Sequence, residues 1–174
     1  MENRLLIIGV MLLALLGGVG LHLGLKQGGL SKTVSHQVVP DFQLPDVNGR
    51  LQSIKQWQGN KLLIINFWAT WCPACLEELP LFADLQLRFQ SAGVQFIGIS
   101  LDTVTDVSAY LAQHPLAYPQ LIAGDSGMSL AQSLGNQAMV VPFTILVSSQ
   151  GEVIGHRAGA WSGAELEAFI GSYL

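Results

Sequence analysis

The sequence predicts an α/β fold, a mixed central β-sheet with helices on both faces, preceded by an apolar segment long enough to span a membrane. Three observations predict it. The runs LLIINF (62–67) and VQFIGI (94–99) read as strands buried on both faces. Between them, Leu79, Phe82, Leu85 and Phe89 recur at the spacing of three and four that marks one face of a helix. That strand–helix–strand order requires parallel pairing with a right-handed crossover. Near the C-terminus, runs 143–147 and 153–157 flank Ser148–Gly151 and read as an antiparallel hairpin. Parallel and antiparallel neighbours together make the sheet mixed.

The chain opens on 21 residues without charge, 5–25, between Arg4 and Lys26. As a helix they would extend about 31 Å, the thickness of a bilayer core. The expected organisation is a membrane anchor or signal segment over 1–26, a polar linker over 27–37 and one folded domain over 38–174. Residues 5–16 also suit the apolar core of a signal peptide, but no A-x-A cleavage pattern follows. Either way the segment directs export. Charge flanks it on both sides, so the positive-inside rule gives little orientation.

Residues 41–54 (DFQLPDVNGRLQSI) break at Asp46–Gly49 and predict a short N-terminal hairpin. The helix after strand 62–67 is expected to run to about Ser91, with Gly93 ending it. Thr103 and Asp106 form a capping pair for a further helix, with Val107, Tyr110 and Leu111 on one face and His114–Pro115 at its end. A short strand is expected at 121–123 and a short helix at 129–134. Ser162 and Glu165 form a capping box for the last helix, whose Leu166, Phe169, Ile170 and Tyr173 share one face. Met128 and Met139 read as core filling.

Only 11% of the chain is charged, against an average near 25%, in keeping with a lipid-facing part. From residue 36 onward five basic residues stand against eleven acidic ones. No basic patch exists for nucleic acid.

The chemistry centres on NFWATWCPACLEELP (66–80), which holds both cysteines, Cys72 and Cys75. They sit where a buried strand turns into a helix N-terminus. Pro73 fits the first helical position, where its missing N–H costs nothing. Free N–H groups and the positive helix end favour a thiolate at Cys72. A thiolate attacks a disulfide, and Cys75, one turn on, is placed to resolve the mixed disulfide. As a structural staple so short a loop would contribute only about 2 kcal/mol. A zinc site needs four ligands, and His22, His36, His114 and His156 are scattered; no metal site is expected. A two-thiolate copper(I) carrier stays open.

This stretch resembles the thioredoxin superfamily, and FWATWCPAC is similar to its membrane-anchored extracytoplasmic branch, the TlpA/ResA/CcmG-type reductases, with an AhpC/TSA-like N-terminal extension. The resemblance covers most of the chain after residue 38. It implies a thioredoxin fold with an N-terminal β-hairpin extension and a central strand–helix insertion. It implies a cis Val141–Pro142 bond facing the cysteines, with the Val141 backbone able to pair with an extended client by β-augmentation. It places Glu78 as a proton-handling carboxylate near Cys75, although acids early in a helix also complement its dipole. Thioredoxin's buried aspartate is replaced here by Asn66, which cannot titrate. Trp71 and Pro73 are expected at the substrate surface, Trp68 in packing. Pro80 is expected to kink the helix. His156 reads as packing or surface.

The resemblance further implies a protein-disulfide reductase at the bacterial inner membrane, its domain facing the periplasm or cell exterior. It needs no cofactor. Its substrates are protein thiols and disulfides, and its electrons come from a membrane thiol carrier of the DsbD/CcdA type. WCPAC and HRAG (156–159) are similar to the cytochrome c maturation members, but the segment before Pro142 lacks their G-x-P pattern, and Ser148–Ser149 replaces Ile-Asp. An oxidase or isomerase on the same fold is the principal alternative. A peroxiredoxin needs P-x-x-x-T-x-x-C, and here Ile65 and Ala69 hold the Pro and Thr positions.

Overall fold

The computed structural model describes residues 37–174; the predicted membrane segment and all but the last residue of the linker lie outside them. In order come β1 (Gln43–Pro45), β2 (Leu51–Ser53), β3 (Leu62–Trp68), α1 (Pro73–Phe89), β4 (Val94–Ser100), α2 (Val104–Gln113), β5 (Gln120–Ile122), α3 (Gly127–Ser133), β6 (Phe143–Ser148), β7 (Val153–Ala158) and α4 (Gly163–Tyr173). No helix among the described residues is long and apolar enough to cross a membrane.

Strand β3 lies at the centre of a five-stranded sheet ordered β5-β4-β3-β6-β7. It pairs parallel with β4 and antiparallel with β6. Its residues alternate between two cores, as a pleated strand requires. Leu62, Ile64 and Trp68 face α1, α2 and α4. Leu63, Ile65 and Phe67 face the other side, with α3 and Ile54. Asn66 has even parity, so it points to the α1 side. The predicted N-terminal hairpin is present as β1 and β2. The central insertion is β5 and α3.

The caps follow the sequence. The Thr103 hydroxyl accepts the Asp106 N–H, and Ser162 and Glu165 make a reciprocal capping box. Gly93, with φ +91°, closes the turn after α1. Four expectations change. Strand β5 begins at Gln120, one residue early, because the ladder to β4 already pairs Gln120 with Gly98; the buried Gln120 amide also accepts the Trp68 indole N–H at 3.0 Å. Helix α3 begins at Gly127, two residues early. Any Cβ there would fall 2.3 Å from the Leu101 side chain, so close packing, not helix propensity, selects glycine. Tyr173 is exposed: it stacks on Phe169 at the chain end, beyond the sheet's cover. Met139 is exposed rather than core.

Candidate active site

At its C-terminal end β3 runs through Ala69–Trp71 into α1. The turn is held by the Thr70 N–H donating to the buried Asp102 carboxylate and by the Cys72 N–H donating to Ala69 O at 3.2 Å. Cys72 is the N-cap of α1 and Pro73 its first residue. A disulfide joins Cys72 to Cys75, with Cα atoms 5.3 Å apart. The Cys75 N–H points at the Cys72 sulfur at 3.2 Å. That is the capping geometry a hydroxyl or carboxylate would make, with sulfur as acceptor. Cys75 is inaccessible, whereas Cys72 keeps 6% of its surface.

The Val141–Pro142 bond is cis, as the family resemblance implies. The Val141 carbonyl lies 3.6 Å from the Cys72 sulfur. In the disulfide no hydrogen lies between them; in the dithiol, a Cys72 S–H could donate there. Pro142 is buried, and its carbonyl accepts the Gly159 N–H. Trp71 is 65% exposed, and Pro73 and Ala74 are exposed beside it. Trp68 is buried against Tyr110.

Glu78 is 2% exposed on the inner face of α1. It is not in the first turn, where α1 carries no acid, so the helix dipole does not account for it. Asn66 Nδ2 donates to Oε1 at 2.8 Å, and the Trp161 N–H donates to Oε2 at 3.0 Å. Burial pushes the Glu78 carboxyl up to about 7, against the opposing pull of those two hydrogen bonds and of the Arg157 charge. Asn66 Nδ2 also reaches Thr144 Oγ1, its register partner on β6, and Asn66 Oδ1 has no hydrogen-bond partner among the described residues. His156 packs on Phe143 away from the cysteines. Pro80 lies inside α1.

The structure thus gathers Trp71, Cys72, Pro73, Cys75, Val141 and Pro142 at one end of the sheet. Glu78 lies beneath, one turn of α1 beyond Cys75. Sequence reasoning missed Asp102, Thr144 and Trp161. Thr144 had a signal, as the polar residue in VVPFTILV; Trp161 acts through its backbone and had none. Among the described residues no group of three or more His, Cys, Asp or Glu side chains converges on a metal site.

Comparison with known proteins agrees with this geometry. The AhpC/TSA family model matches residues 36–156. The chain is 30% identical over 174 residues to the thiol-disulfide oxidoreductase ResA of Bacillus cereus, covering 97% of this chain and 96% of that protein. A thiol:disulfide interchange protein of the thioredoxin family from Chlorobium tepidum superposes with a TM-score of 0.70 at 25% identity, over 80% of this chain and 97% of its own. StoA of Bacillus subtilis, at 23% identity and a TM-score of 0.61 over 76% of this chain and 98% of its own, shares the fold. The chain therefore belongs to the AhpC/TSA family, and within its thioredoxin fold it is a thiol-disulfide oxidoreductase of the ResA type.

Proposed function

We propose that this protein is a membrane-anchored, extracytoplasmic reductase of protein disulfides, with Cys72 as nucleophile and Cys75 as resolving thiol. The observation that carries the reading is the asymmetry of the pair. Cys72 caps α1 and accepts a backbone N–H, and Cys75 is fully buried. A client sulfur reaches the first and not the second.

In the dithiol form the Cys72 thiolate attacks one sulfur of a client disulfide. A Cys72–client S–S bond forms, the client S–S bond breaks, and the leaving thiolate takes up a proton. The Cys75 thiol then loses its proton and attacks Cys72. The Cys72–Cys75 bond forms and the second client thiolate leaves. The client gains two electrons and the protein loses two. Glu78, three residues after Cys75 on the same helix face, takes the Cys75 proton; a carboxyl titrating near 7 suits transfer at neutral pH. Val141 and Pro142 hold the client backbone beside Cys72, and Trp71 and Pro73 form its contact surface.

The uncharged run 5–25 supports an uncleaved anchor with the domain outside the cytoplasm. A membrane thiol carrier of the DsbD/CcdA type returns the dithiol form. Apocytochrome c cysteines before haem attachment are the clients that WCPAC and HRAG favour.

The test is the reduction potential of the full-length protein, titrated against glutathione or dithiothreitol with alkylation to count thiols. A reductase gives a value near or below about −220 mV; a value near about −120 mV would make it an oxidant and end the reading.

A further inference from the structure

Met139 has φ +52°, the only non-glycine residue with positive φ among the described residues. There the Cβ crowds the backbone, and glycine or asparagine is the usual occupant. The buried Asn136 holds it in place. Asn136 Nδ2 donates to Val140 O at 2.8 Å, Oδ1 accepts the Val140 N–H at 3.2 Å, and the Asn136 carbonyl accepts the Met139 N–H at 3.1 Å. With both polar ends of its side chain on Val140, Asn136 fixes an arch whose projecting residue is Met139. The result is a large apolar side chain left 53% exposed, beside an exposed Val140.

This arch leads directly into Val141, the residue beside the reacting sulfur. Met139 is two residues from Val141, within about 7 Å along the chain, and the Val141 carbonyl lies 3.6 Å from Cys72 Sγ. Exposed Trp71 adjoins Cys72 in sequence. Residues 70–76 and 137–142 carry no charge. Whatever chain brings a disulfide to Cys72 must cross this uncharged rim. An extended segment with its cysteine facing Cys72 puts the side chains two residues away on the same face, about 6.6 Å to either side. A segment that pairs with the Val141 backbone runs alongside residues 139–141, which brings one of those side chains past Met139.

We propose that Met139 is a specificity-determining residue. With Trp71 it selects extended client segments that carry an apolar side chain two residues from the reacting cysteine. Methionine suits the task, being unbranched and able to adapt to different apolar partners. The proposal rests on Cys72 being the residue that attacks client disulfides.

The experiment uses the reduced full-length protein and two synthetic peptides, one with Leu and one with Ser two residues on either side of a single Cys. Each peptide is a mixed disulfide with thionitrobenzoate. Cys72 attacks the peptide sulfur, thionitrobenzoate leaves as a coloured thiolate, and Cys75 then releases the peptide thiol. Every rate is divided by that with hydroxyethyl disulfide, a probe with no side chain to reach Met139. The Leu peptide should react about tenfold faster than the Ser peptide. In Met139→Asn, which keeps a residue tolerant of positive φ, the preference should fall to within about twofold. Met139→Gly, free of backbone strain, repeats the test if the first variant fails to fold. A preference that survives both substitutions, or is absent from the wild type, overturns the proposal. No reaction of the wild type with hydroxyethyl disulfide would instead remove the nucleophile assignment, and the proposal with it.

Discussion

Replacing Glu78 by Gln should abolish a pH-dependent loss of stability. The wild-type carboxyl is raised from 4.5 to about 7 by burial. A raised pKa means the folded state holds the proton more tightly than the unfolded chain. The associated stability is complete below about pH 4.5 and is lost as pH rises through about 7. At about 1.4 kcal/mol per pH unit the loss totals about 3 kcal/mol, a large fraction of the roughly 10 kcal/mol typical of a domain. Glutamine keeps the shape and cannot ionise. Its Nε2 can donate to Asn66 Oδ1, now without a partner among the described residues, if the Asn66 amide turns over. The assay is urea unfolding of wild type and Glu78→Gln in the disulfide form, where neither sulfur titrates, between about pH 4 and pH 8.5. The wild-type stability minus that of the variant should fall by about 3 kcal/mol across this range, with its midpoint between 4.5 and about 7. Any constant cost of the substitution cancels. A flat difference would refute the claim that burial raises the Glu78 carboxyl toward 7, and the reason for casting it as a proton acceptor at neutral pH would go with it.

Two further outcomes are expected. Cys75→Ser should arrest exchange at the mixed disulfide, so that mass spectrometry finds client attached at Cys72, whereas Cys72→Ser should give no adduct. Gly98→Ala would place a Cβ 2.0 Å from Gln120 Oε1, which accepts the Trp68 indole; it should cost about 1–3 kcal/mol in denaturant unfolding, and a neutral result would show that Gln120 moves freely.

The parts legible in the sequence were those encoded by local spacing. Pattern alone places β3 and its burial on both sides, whereas the side to which Asn66 points is set by where α1 packs. Capping residues mark where α2 and α4 start. The strand–CxxC–helix order puts Cys72 at a helix N-terminus before any coordinate is known, because backbone geometry at a helix start is the same in every protein. Spacing does not tell how far a neighbour extends, which is why Tyr173 keeps the rhythm of a buried face and is nonetheless exposed. Nor does residue type reveal a close approach such as that of Gly127 to Leu101.

What the sequence by itself determined, then, is the redox pair, its place on the fold and the order of the elements, since these rest on interactions between residues close in the chain. Tertiary structure alone decided the environment of Glu78 and the exposure of Met139. The Trp161 N–H reaches Glu78 across 83 positions and Asn66 reaches Thr144 across 78. Burial, charge and hydrogen bonding at a site are sums over groups brought together by folding, and no window of sequence contains them.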